Sequence, residues 1–150
     1  VTQVAWISPI DRSVGSGAWL EVVRTQDLRR MLKEQGTEPV RMLQSLGMAS
    51  QRGGRAEDER YKITLFDVRT DWLCRPIRDG VAGEVQGGVA ICEEAQQHGV
   101  RGHRRGFTGC GYTMDTTDRS RGLDVYRVEW EVASTWGFCV LPLERFLDGA

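Results

Sequence analysis

The sequence predicts an α+β fold: a bent, mostly antiparallel sheet of about five to seven strands, with an early helical segment (residues 25–47) packed on one face. Two observations lead there. Helical spacing of apolar residues is confined to the stretch between Thr25 and Gly47. After it come several segments of strand character with no helix-length pattern between them. Parallel strands need crossovers of a dozen or more residues, usually helical, so the later strands are expected to pair antiparallel.

The elements follow in order. Val4 to Ile7 is a short apolar stretch ahead of Pro9 and a Gly/Ser turn, and WLEVVR (19–24) reads as a second strand. Thr25 suits a helix cap, with Asp27 in the first turn where a carboxylate meets the positive helix end. Leu28, Met31 and Leu32 keep helical spacing, and Gly36 is a fitting stop. Thr37 can cap a second helix that tolerates Pro39 in its first turn, with Val40, Met42, Leu43 and Leu46 as its apolar side and Gly47 as its end. ASQRGGRAEDER (49–60) has many charges and no apolar period, and is expected to be a surface loop.

Strands dominate the rest. Tyr61, Ile63 and Leu65 alternate with polar residues, then the phase flips to Phe66, Val68, Trp72 and Cys74, which predicts a bulge or bend. GGVAIC (87–92) is a short apolar strand. FTGCGYTM (107–114) alternates through Thr108, Cys110, Tyr112 and Met114. In YRVEWEV, Tyr126, Val128, Trp130 and Val132 share one face, and Arg127, Glu129 and Glu131 the other, the pattern of a half-buried antiparallel strand. WGFCVLPL (136–143) is the last strand, and LERFLDG makes a final turn.

Length and composition narrow the class. A chain of 150 residues, 40% apolar and 27% charged, suits one globular domain spanning 1–150. It contains no apolar run of about 18 residues that could span a membrane, and no basic start followed by an apolar stretch, although it begins at Val1. The net charge of −1 provides no global attraction to nucleic acid or an anionic membrane. Of the twenty Lys and Arg, only Lys33 and Lys62 are lysine, and a bias that runs through the whole chain reflects codon composition more readily than function. Cys74, Cys92, Cys110 and Cys139 form no C-x-x-C. An even count suggests two disulfides in an exported protein, or four small buried side chains in the cytosol. Together with the start at Val1 and five Trp, it tips the expectation towards a periplasmic or secreted protein.

The stretch EEAQQHGVRGHRRGFTGCGY (93–112) concentrates the candidates for chemistry. Cys92, His98, His103 and Cys110 follow a C-x5-H-x4-H-x6-C order. Structural zinc usually draws on two tight ligand pairs, and neither half has that form, so no metal is expected. Gly106, Gly109 and Gly111 lead into strand-like residues rather than a helix, and no Gly-Lys-Ser/Thr exists, so no phosphate cradle or other cofactor site is expected there. Arg101, His103, Arg104 and Arg105, ahead of Phe107 and Tyr112, form a polar contact loop that could meet phosphates and unpaired bases. Glu93 and Glu94 dilute it, and the outline of a helix-turn-helix around Gly36 is opposed by Glu34 and Glu38.

Catalysis finds little support. Four Cys and two His single out no nucleophile–base pair. Glu129 and Glu131 would stand about 6–7 Å apart on a strand, a workable spacing for two carboxylates, yet alternating Glu on an outer face is the ordinary solubilising pattern. Asp115 and Asp118 are turn residues first. The aromatic set remains. Trp72, Tyr112 and Trp130 fall on the apolar phases of separate strands, where they line either a core or a ligand pocket. No motif matches a family closely enough to carry over a functional residue. The first reading is therefore a non-catalytic binding or interaction module, for a small apolar or amphipathic ligand or a partner protein, using the sheet's concave face or a strand edge. A small enzyme with a pocket between helices and sheet is the second reading. Nucleic-acid binding through residues 101–105 is the third.

Overall fold

The computed structural model describes residues 1–11, 13–14, 17–46, 60–77, 80–97, 113 and 122–149, with residues 40 and 44 described by their backbone alone. Strands β1 (Thr2–Pro9) and β2 (Trp19–Arg24) are followed by helices α1 (Thr25–Gln35) and α2 (Pro39–Ser45). Then come β3 (Tyr61–Val68), a tight hairpin of β4 (Val85–Gln86) and β5 (Val89–Ala90), and β6 (Val125–Glu129). Helix α3 (Trp130–Ala133), strand β7 (Cys139–Pro142) and helix α4 (Leu143–Asp148) close the chain. The fold is α+β. Five strands form an antiparallel sheet in the order β6-β2-β1-β3-β7, and β4-β5 forms a second, small sheet. No helix among the described residues is long and apolar enough to cross a membrane.

The sheet is buried on both faces. On one, Leu28, Met31 and Leu32 of α1, Met42, Leu43 and Leu46 of the α2 segment, and Leu143, Phe146 and Leu147 of the α4 segment pack on Ala5, Val23, Tyr61, Ile63 and Val125. The early helical segment thus packs on one face, as the sequence predicts, and Ser45 Oγ ties α2 to α1 by donating to Gln35 Oε1. On the other face, Val4, Trp6, Leu20, Val22, Phe66, Val68, Tyr126 and Val128 are covered by Leu73, Val89 and Ala133. The cover comes from the excursion between β3 and β6 and from α3.

Burial on both faces explains the phase flip at residues 61–68. The predicted bulge is absent: β3 pairs with β1 in unbroken register from Pro9↔Tyr61 to Thr2↔Val68. Tyr61 and Ile63 serve the helical face, while Phe66 and Val68 serve the opposite one. The chain leaves the sheet after Val68, through a 3-10 turn at Thr70–Trp72.

The expected strand 126–132 is also corrected. It ends at Glu129, opposite Trp19, where β2 begins and the ladder partner runs out. Trp130 N–H instead donates to the Ala18 carbonyl at 2.8 Å, and residues 130–133 turn into α3. Glu129 and Glu131 therefore do not share a strand face. Arg127, expected outside, is 5% exposed, because Cys74 covers the other edge of β6. The two residues exchange both backbone hydrogen bonds, at 3.0 and 2.7 Å.

The remaining boundaries shift modestly. Thr25 is the first residue of α1 rather than its cap; Arg24 occupies the cap position and makes no side-chain cap bond. Gly36, at φ 91°, does end α1, with its N–H on the Leu32 carbonyl. The expected strand 136–143 narrows to Cys139–Pro142, and the final turn is the helix α4. Gly87 and Gly88 join β4 to β5 with φ of 60° and 84°, the double positive φ that a two-residue hairpin turn requires.

Cys74 and Cys92 form a disulfide, Cα to Cα 4.8 Å, across a sequence separation of 18. It closes the base of the excursion, where Cys92 N–H also donates to the Arg75 carbonyl at 2.9 Å, and Cys74 joins that cover to Arg127 of β6. Cys139 is exposed and carries no disulfide. Cys110, the loop 49–59 and the expected strand 107–114, apart from Thr113, lie outside the described residues.

Candidate functional site

The surface that stands out is the end of the sheet at β7. Beyond Ala133 the chain makes a 3-10 turn at Ser134–Trp136, and Gly137, at φ 87°, redirects it into the strand. A positive φ of this kind is easy for glycine and strained for any other residue. The residues on either side of Gly137 are large, apolar and open to solvent: Trp136 is 51% exposed, Phe138 50% and Val140 48%. β7 pairs with β3 on one side, and among the described residues its far edge has no strand partner.

These side chains are the outer end of an aromatic series rooted in the core. Phe66 is fully buried and meets Trp130 edge-on, centroids 5.7 Å apart at 83°. Phe138 lies 4.9 Å from Trp130 and 6.0 Å from Phe66. Trp136 lies 4.7 Å from Trp72. Trp130 and Trp72 are themselves only partly buried, packed on the second-face core. The aromatic surface is thus held from beneath by rigid packing rather than borne on a loose loop, and such ring pairs add to plain area burial.

Two of the three aromatic candidates, Trp72 and Trp130, are brought into this one cluster, although neither lies on a strand; Tyr112 lies outside the described residues. Arg101, His103, Arg104 and Arg105, together with His98, Asp115 and Asp118, also lie outside them. Trp136, Phe138 and Val140 were missed as site residues. Their signal was present: in WGFCVLPL both strand phases are apolar, and only one further short element remains to cover them.

Polar groups collect at the opposite end of the sheet order, around β6, β2 and the start of α1. The Arg24 and Arg75 guanidiniums lie over the Tyr126 ring, 4.9 and 5.3 Å from its centroid. Arg75 Nε donates to the Val125 carbonyl at 3.2 Å, and its Nη2 pairs with Asp124 at 3.2 Å. Burial raises the Tyr126 phenol above its ordinary pKa, against the lowering pull of Arg24. Arg127 sits opposite Glu21, lies 5.7 Å from the Trp19 ring centroid and donates Nη1 to the Gln96 carbonyl at 2.9 Å; burial pulls its pKa down. Beside this cluster an open cleft of about 620 Å³ is lined by Arg24, Asp27, Arg30, Glu34 and Asp124 among others. Among the described residues, no group of three or more His, Cys, Asp or Glu is gathered where a metal ion could be held.

Comparison of the chain with family models, with curated proteins and with solved structures finds no match to any of them.

Proposed function

We propose that this chain is a non-catalytic interaction module that takes a partner protein on the aromatic edge at β7. The observation that carries the reading is the packing of half-exposed Trp136 on Trp72 and of half-exposed Phe138 on Trp130, next to half-exposed Val140 on a strand whose far edge has no partner among the described residues. Large exposed apolar patches are uncommon on monomers and mark places where another surface sits. Trp and other aromatics dominate binding energy at such sites, because a rigid ring buries much area at small entropic cost. An open strand edge adds main-chain donors and acceptors that an extended segment of the partner can pair with. Because the rings are partly open to solvent, recognition by a surface is a better fit than an enclosed small ligand.

The test is selection of extended peptides from a random displayed library, followed by affinity measurement on the wild type and on a Trp136→Ser/Phe138→Ser variant. The reading expects enriched apolar or aromatic peptides whose affinity falls at least roughly a hundredfold in the folded variant, the loss of two hot-spot side chains. Recovery of peptides that bind both proteins equally, or of none, contradicts it.

A further inference from the structure

A second cleft, distinct from the aromatic edge, opens where β1 starts, β2 ends and α1 begins. It measures about 460 Å³, and its walls include Thr2, Gln3, Arg24, Thr25, Gln26 and Arg29. We propose that it binds an oxyanion, the phosphate or carboxylate group of a small molecule or side chain. Three independent features converge there.

The first is an unanswered set of hydrogen-bonding atoms. Arg24 Nε, Thr25 Oγ1 and Arg29 Nη1 are buried and have no hydrogen-bond partner among the described residues. Thr25 as a whole is 3% exposed, yet it forms part of the cleft wall. Buried polar atoms are nearly always satisfied in folded proteins, and all three of these belong to residues that line the one cleft, where an acceptor would answer them. The second is the helix. α1 has 11 residues, and its cap position is held by Arg24, which makes no side-chain cap bond. Its first N–H groups therefore present the positive end of the helix dipole without a built-in carboxylate or hydroxyl acceptor at the cap.

The third is the partition of charge between neighbouring clefts. Arg24 and Gln26 line both, but Asp27, Glu34 and Asp124 line only the larger one. Asp27, the acid in the first turn of α1, is paired with Arg30 at 3.4 Å. Among its described lining residues the smaller cleft has two arginines and no acid. Both arginines are held by rings, Arg24 over Tyr126 at 4.9 Å and Arg29 over Phe146 at 4.3 Å. Stacking fixes each guanidinium plane and leaves its edge to donate.

The test titrates inorganic phosphate, and separately acetate, into the full chain while following backbone amide resonances. Saturable shifts at Thr25, Gln26 and Asp27 are expected. Arg29→Gln and the near-isosteric Thr25→Val should each weaken binding about tenfold or more, the loss of one charge-assisted or buried hydrogen bond. Tighter binding of phosphate assigns a phosphate group, and tighter binding of acetate a carboxylate; either supports the site. Shifts that stay linear with both anions, or that saturate equally in a folded Thr25→Val, overturn it. Neither result depends on peptide binding at β7.

Discussion

The two faces of the sheet are both buried, but they are closed by different means. Three helical segments cover the first, and each brings aliphatic or aromatic side chains spaced for that purpose. The second is covered by an irregular excursion, a two-stranded hairpin, the four-residue helix α3 and one disulfide. Helical cover ends in solvent-facing polar residues. The irregular cover ends in half-exposed Trp136 and Phe138, which lead into β7, and half-exposed Val140 on that strand at the end of the sheet order. The difference teaches where stability and recognition are kept. A face closed by amphipathic helices turns its apolar side chains inward, whereas one closed by a stapled loop leaves apolar surface at its margin.

Breaking the helical face should cost most. Phe146→Ala removes a fully buried ring and should lower unfolding free energy by about 3–5 kcal/mol, read by denaturant titration. Opening the staple comes next. Cys74→Ser/Cys92→Ser frees a loop whose ends are 18 residues apart, and should cost about 3 kcal/mol. Amide exchange in that variant should rise around residues 73–97 and in α3 before it rises in α1 or α2. Equal loss on both faces would erase the distinction.

Smaller effects sharpen it. Gly137→Ala, at φ 87°, should cost about 1 kcal/mol by backbone strain alone, since nothing crowds the position. The mildest perturbation is alkaline pH. Burial raises the Tyr126 phenol above its ordinary value, opposed first by Arg24. The folded state therefore holds this proton more tightly than the unfolded chain does. The contribution is fully present below the unfolded value and is lost as pH climbs through the folded one. Absorbance near 295 nm should show tyrosine ionisation extending above the ordinary phenol range; complete ionisation within that range would contradict the burial of Tyr126.

Much of this was legible beforehand, for physical reasons visible residue by residue. WLEVVR (19–24) is bounded by Gly17 and a helix start, and forms β2 with those bounds. Leu28, Met31 and Leu32 keep helical spacing and reach the core. What misled was the assumption that one strand face meets water. At residues 61–68, burial on both faces looked like a bulge. At Arg127, alternation with Glu129 and Glu131 looked like a solvent face, because the covering segment at Cys74 lies far off in sequence. The end of β6 is set by the start of β2 more than a hundred residues earlier, a long-range fact that no local pattern holds. The buried polar atoms of Arg24, Thr25 and Arg29 that lack a partner among the described residues are likewise a product of packing, invisible until β1, β2 and α1 meet.

The most direct test of the contrast is hydrogen–deuterium exchange with and without a selected peptide. The account predicts new protection at Phe138, Cys139, Val140 and Leu141, with α1, α2 and α4 unchanged. Protection confined to the helical face, with β7 exchanging as in the free protein, would contradict it.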